Sequence, residues 1–154
     1  MATWTEFSTE APELSAAIAA RFAARKHHVL ATLRADGSPR VSGTEVQFTE
    51  GVLRIGSMPG ARKARDLQRD PRYALHANPS DETMAEGDAK VSGTAREVTG
   101  ADLDAIVADY PEETRDAHVF DLDVDEAVLV TVAGDLLHID LWRPGAPVVR
   151  TSRK

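Results

Sequence analysis

The sequence predicts a small antiparallel β-barrel with peripheral helices. Three observations lead there. Most apolar stretches alternate with a period of two and have the length of strands. Tight turns built on Asp-Gly or a single glycine join consecutive strands and leave no room for the crossover helices of a parallel sheet. Gly43 and Gly93 interrupt otherwise regular strands, as happens where a sheet curls at a barrel corner.

Each element follows from its local pattern. Residues 10–25 place Leu14, Ile18, Ala19 and Phe22 at helical intervals, with Thr9 or Ser8 as a cap and Pro12 in the first turn. A strand is expected over 28–34, followed by the turn Ala35-Asp36-Gly37-Ser38 and a returning strand over 39–48. The tight turn Thr49-Glu50-Gly51 leads to a third strand over Val52–Ser57, and the three form a meander. A short basic helix then precedes a strand over 73–77, a polar loop over 78–87 and an alternating strand over 89–98. Leu103, Ile106 and Val107 line one face of a helix over 100–110, and Pro111 is expected to open a second acidic helix over 111–121. Strands over 127–132 and Leu136–Trp142 close the chain around Ala133-Gly134-Asp135. The expectation is six strands in one domain over 1–154, with the N-terminal helix inside 1–26 and an acidic helical insertion over 100–121.

Composition removes several functional classes. A chain of 154 residues with 42% hydrophobic content can bury a real core. No apolar run approaches the ~20 residues of a membrane-spanning helix. The first residues carry acids where a secretion signal carries bases, so a cytoplasmic location is expected. The absence of cysteine excludes disulfides, thiol nucleophiles, zinc ribbons and iron–sulfur clusters. Net charge is −7 and no continuous basic stripe exists, so nucleic acid is not an expected partner. The 15 acids from Asp81 to Glu126 read as a solvated helical surface. His27, His28, His76, His118 and His138 lack metal-ligand spacing and read as surface or satisfied strand residues, so no metal site is expected. Asp121, Asp123 and Asp125 lack the glycine and terminal glutamate of a calcium loop and also read as solvated acids. No phosphate-binding loop, dinucleotide fingerprint or nucleophile elbow is present.

The informative stretch is GVLRIGSMPGARKARDLQRDPRYAL, residues 51–75. The turn Ser57-Met58-Pro59-Gly60 delivers the chain to a helix start at Ala61, with Arg62 and Lys63 in the first turn. Free N–H groups there, beside a guanidinium and an ammonium, suit an anion. Arg62, Lys63, Arg65, Arg69 and Arg72 face only Asp66 and Asp70 in a chain of opposite net charge, which points to one phosphate-bearing ligand. Ala61, Ala64 and Leu67 at helical spacing equally suit a short packing helix with a solvated arginine face. Both readings stand at this level.

The ordered series LATLRADGSPRVSGTEV, LRIGSMPGARKARDLQRDPRYAL and VSGTAREV resembles the pyridoxamine 5'-phosphate oxidase superfamily, over about the first two thirds of the chain. The resemblance implies a mainly β (α+β) fold: a six-stranded antiparallel split β-barrel of Greek-key type with peripheral helices. It implies FMN or the deazaflavin coenzyme F-420 as cofactor and a homodimer with cofactor sites at the subunit interface. It assigns Arg62 and Lys63 to the cofactor phosphate, Ser57 and Met58 to the strand passing the phosphate and ribityl chain, and Arg40, Val41 and Ser42 to the strand along the ring. Trp142, followed by Arg150 and Arg153, resembles the family's C-terminal segment that reaches the partner's flavin. The implied activity is hydride transfer to a small flat acceptor. The alternative is a non-catalytic protein holding a cofactor, haem or tetrapyrrole. No general acid or base is identified. Val149-Arg150-Thr151 replaces the Arg-Leu-His triplet that grips pyridoxal phosphate, so vitamin B6 oxidation is not expected.

Overall fold

A computed structural model describes residues 1–79 and 82–154. The chain starts with two helices at an angle, α1 (Trp4–Glu10) and α2 (Pro12–Ala23). Where the sequence suggested one helix beginning at residue 10, Thr3 and Glu6 form a capping box that starts a helix six residues earlier. Pro12 occupies the first turn of α2, as expected, but the residue before it is Ala11, which offers no side-chain cap.

Nine strands follow among the described residues: β1 (His28–Leu33), β2 (Pro39–Thr44), β3 (Gln47–Thr49), β4 (Val52–Ser57), β5 (Arg72–His76), β6 (Asp88–Val98), β7 (His118–Ala133), β8 (Leu136–Trp142) and β9 (Val149–Arg153). The ladder runs β2-β1-β5-β6-β7-β4-β3, with β8 also pairing β7 and β9 pairing β8, and every pairing is antiparallel. Fold class is therefore as expected, a mostly antiparallel sheet with helices around it. The three-strand meander is not. β2 ends at Thr44, β3 pairs β4, and β4 turns away to pair β7, because Glu45 and Val46 break the long second strand.

Two further differences change the C-terminal half. The expected second acidic helix reduces to a single 3-10 turn at Glu112–Thr114, after α4 (Gly100–Val107). His118 already belongs to β7, whose 16 residues pair first with β4 and then with β8 while β6 follows along its length. Val119, Phe120, Leu122 and Val124 are buried there on both faces of the strand, and that burial outweighs the helix signal of the neighbouring acids. The tail is also ordered as β9, held to β8. Of the polar loop, Ser80 and Asp81 lie outside the described residues.

Asp121 and Asp123 of β7 are paired and largely withdrawn from solvent, whereas Asp125 is exposed as expected. Asp121 binds Arg54 through two hydrogen bonds of 2.7 and 3.2 Å, and buried Asp123 binds Arg96 at 2.8 and 3.2 Å. Gly93 sits at a register shift between β6 and β7, where a Cβ would overlap the Asp123 carbonyl. The core fills the barrel with Leu30, Leu53, Ile55, Leu75 and Leu122, and α1 and α2 cap one end with Phe7, Ile18 and Phe22. An open mouth remains where the ends of β2 and β4 meet the segment just before β1.

Candidate functional site

That mouth is a cleft of about 830 Å³ between β2, β4 and the start of α3 (Arg62–Arg69). Its floor is Gly56 and Ser57 at the end of β4, its near wall is Gly43 to Glu45 at the end of β2, and Lys63 reaches in from α3. Here β2 and β4 come alongside each other with no ladder between them, which leaves backbone and side chains facing open space. Tyr110, Pro111 and Ala117, from the segment after α4, close the far side with apolar surface.

Two groups in the cleft have fewer partners than their burial calls for. Ser57 is 6% exposed and its Oγ has no hydrogen-bond partner, an arrangement that costs about 1–3 kcal/mol unless a ligand or water supplies one. Lys63 Nζ donates to the Gly43 carbonyl at 2.9 Å, and burial pushes its pKa below the usual lysine value. A partly desolvated ammonium with only a neutral carbonyl for company is a site for an anion.

The approach to α3 adds backbone donors. Ala61 N–H bonds the Met58 carbonyl at 3.1 Å around Pro59 and Gly60, and Gly60 has φ +69°. Proline at the second position and a positive-φ glycine at the third make a type II turn. No side chain caps the helix that follows, so its first N–H groups remain available.

The residues singled out from sequence divide into two groups. Ser57, Met58 and Lys63 meet in the cleft. Arg62 and Arg40 lie on the other side of α3, in a smaller pocket of about 450 Å³ with Arg34, Arg65 and Arg69. Arg40 is committed there to Asp66 at 2.6 Å. Burial disfavours the Asp66 carboxylate, but hydrogen bonds from Arg40, Thr32 and Arg69 at 2.6, 2.8 and 2.9 Å prevail and hold its pKa below the ordinary value. Val41 is 72% exposed and Ser42 is half-buried. Neither lines the cleft, whose β2 wall begins one residue later at Gly43. Trp142 is fully buried against Phe7, ring centroids 4.4 Å apart, and donates from Nε1 to Glu10 at 3.2 Å. Arg150 is locked to Asp140 by bonds of 2.7 and 2.8 Å.

Sequence reasoning missed the contributions of Lys26, His27, Gln47 and Tyr110 to the cleft. They come from three separate segments, the turn before β1, β3 and the stretch after α4, and form no local motif. It also missed His118, whose Nε2 accepts from Gly60 N–H at 3.1 Å behind the type II turn. Among the described residues no cluster of three or more acids and histidines could hold a metal ion, and no helix is long and apolar enough to cross a membrane.

The sequence matches the family model of pyridoxamine 5'-phosphate oxidase over residues 14–131, more than half of the chain. The chain belongs to the pyridoxamine 5'-phosphate oxidase family. The fold agrees with that membership. A pyridoxamine 5'-phosphate oxidase-related, FMN-binding protein from Nostoc punctiforme superposes with a TM-score of 0.69 at 13% identity, covering 94% of this chain and 96% of that one. A haem-binding protein from Mycobacterium smegmatis gives 0.62 at 24% identity, covering 84% of this chain, which spans only 58% of that protein's length. A solved structure described as an F420 reductase gives 0.51 at 19% identity, with 64% and 85% covered. At such identities the likeness concerns the fold alone. No curated protein sequence matches this family member significantly.

Proposed function

We propose that this protein is a flavin- or deazaflavin-dependent oxidoreductase that holds FMN or coenzyme F-420 in the cleft between β2, β4 and α3. The observation carrying this reading is the pairing of an unpartnered, buried Ser57 hydroxyl with a desolvated Lys63 ammonium beside an uncapped helix start. Such a set fits a phosphate monoester: a cation, a hydroxyl donor and backbone N–H groups converging on one place. Structures of family relatives described as FMN-binding and as an F420 reductase support the same choice of ligand class.

Lys63 and Ser57 would hold the phosphate, and Met58 would cover the chain leading from it. Pro59, Tyr110, Pro111 and Ala117 supply apolar surface that excludes water from a flat ring. When bound, a flavin or deazaflavin supplies hydride transfer, and the chain supplies orientation and electrostatics. Arg62 and Arg40 act on the ligand from the neighbouring pocket through their charge. Trp142 serves as a core residue that anchors α1 to β8. A second copy of the chain is part of this reading, because Val29 and Val41 leave an apolar face on β1 and β2 next to Gly43 of the cleft.

The deciding experiment is an absorption spectrum of the purified protein, followed by titration of the ligand-free form with FMN, coenzyme F-420 and haem. Saturable binding of FMN or the deazaflavin, weakened in Lys63→Ala, supports the reading. A haem band with no flavin binding would replace it with the haem-binding alternative.

A further inference from the structure

The side chain behind the type II turn has one hydrogen-bonding state only. His118 Nε2 receives the Gly60 N–H at 3.1 Å, and an amide N–H can only donate, so this nitrogen carries no proton. Its Nδ1 lies 3.0 Å from Glu97 on β6 and therefore bears the proton. Glu97 is held in turn by Gln68 of α3, whose amide reaches both carboxylate oxygens at 3.0 and 3.1 Å. On β4 the register partner of His118 is Ser57, and the nearest charged residue along that strand, Arg54, is bound to Asp121 of β7. Lys63 of α3 is engaged with the Gly43 carbonyl. Glu97 is the charged group bonded to the ring among the described residues.

The bond to Gly60 fixes a peptide that has two stable orientations. Types I and II of a β-turn differ by rotation of the central peptide, here Pro59–Gly60, while the flanking residues stay in place. Glycine at the third position permits both. In the type II form the Gly60 N–H faces His118 and, because the peptide is trans and planar, the Pro59 carbonyl faces the opposite way. Pro59 lines the cleft, whereas Gly60 and His118 do not.

We propose that His118 is a proton-controlled latch on the Met58–Ala61 turn, so that an anionic ligand binds in the cleft with uptake of one proton at His118. Neutral imidazole accepts from Gly60 and holds type II. A proton taken from solvent onto Nε2 turns the acceptor into a donor, which expels the Gly60 N–H and bonds the Pro59 carbonyl of the turned-over peptide. The Gly60 N–H then points to the side the carbonyl had occupied and joins the helix start as a donor to the anion. By linkage, the anion favours the protonated ring as much as the proton favours the anion. This inference rests on the cleft being the anion site proposed above.

The test follows the Gly60 amide and the His118 ring nitrogens by nitrogen-15 NMR of the whole protein from about pH 8 to about pH 5. The Gly60 resonance is expected to move with the midpoint of the imidazole, and to stay still in His118→Gln, whose amide oxygen can accept from Gly60 at every pH. Gly60→Ala is the second variant. A Cβ there meets nothing within 4 Å but disfavours φ +69°, so this protein should show the low-pH turn throughout. The affinity for FMN, divided by that of His118→Gln to cancel titration of the phosphate itself, should rise about fivefold as pH falls. A Gly60 amide that ignores imidazole titration, or an affinity ratio that stays flat, overturns the latch. Failure to bind FMN at any pH would remove the cofactor reading, and the NMR arm would still decide the latch.

Discussion

Lys63 and Gly43 are joined by a 2.9 Å hydrogen bond that ties the first turn of α3 to the end of β2 across the floor of the cleft. Arg62, its neighbour in sequence, opens onto a different pocket. The basic pair therefore faces two different pockets. Lys63→Ala should weaken binding of FMN or coenzyme F-420 by about 1.5–3 kcal/mol, the scale of a charge-assisted hydrogen bond. Arg62→Ala should cost less than about 1 kcal/mol, because an exposed charge outside the cleft acts through screened solvent. Calorimetric titration of both variants checks this. Equal losses would put Arg62 back on the phosphate.

Asp66 organises the second pocket and should matter for stability. It is 3% exposed and accepts from Arg40, Arg69 and Thr32. Removing the carboxylate strands the Arg40 guanidinium and the buried Thr32 hydroxyl, whereas Arg69 keeps the Leu33 carbonyl, so Asp66→Ala should lower unfolding free energy by about 3 kcal/mol. Urea denaturation measures it directly. A loss under about 1 kcal/mol would mean that Arg40 and Thr32 find water instead.

His28 gives an expected pH dependence of stability. Its side chain is buried, Nδ1 accepts from Asn78 N–H at 2.9 Å, Nε2 has no partner, and burial lowers its pKa from 6.5. Below pH 6.5 the unfolded chain takes up a proton that the folded chain refuses, so stability falls as pH drops from there towards the folded-state value. In His28→Asn, which keeps an acceptor for Asn78, this slope should flatten. Urea midpoints at several pH values, for both proteins, provide the check. An unchanged slope in the variant would assign the effect to another group.

Gly93→Ala should destabilise the fold by about 1–3 kcal/mol, since a methyl group cannot enter the space held by the Asp123 carbonyl without moving β7. Gly43→Ala, where nothing lies within 4 Å, should be far milder. Thermal melts of the two variants side by side test the contrast. Similar losses would show that strand curvature, and not close approach, sets the cost.

Two expectations concern assembly and substrate. Sedimentation at micromolar concentration should report about twice the 16.6 kDa chain mass if the Val29 and Val41 face is covered by a second copy. A monomer would remove that part of the proposal. Pyridoxamine 5'-phosphate should not be oxidised even with flavin saturating, because Arg150, at the place of the family's gripping triplet, is already bound to Asp140. Turnover of that substrate in a coupled assay would contradict this.

The amino-acid sequence by itself determined the strand-rich class, the turns at Gly37 and Gly51, the basic helix after Gly60 and the Gly93 irregularity. These are local matters: alternation, positive φ and helix entry are set by residues within a few positions of one another. Most of the difference between Arg62 and Lys63 lay beyond it, because adjacent residues on a helix point about 100° apart and only the packing of α3 decides which one meets the cleft. The same holds for Trp142, which α1 covers from 132 positions away through Glu10, and for His118, whose acid surroundings suggested helix until β4 paired with it and β6 with the residues from Val119 onward. Pairing partners distant in sequence supply the hydrogen bonds and burial that outweigh local propensity, and those partners exist only in the folded chain.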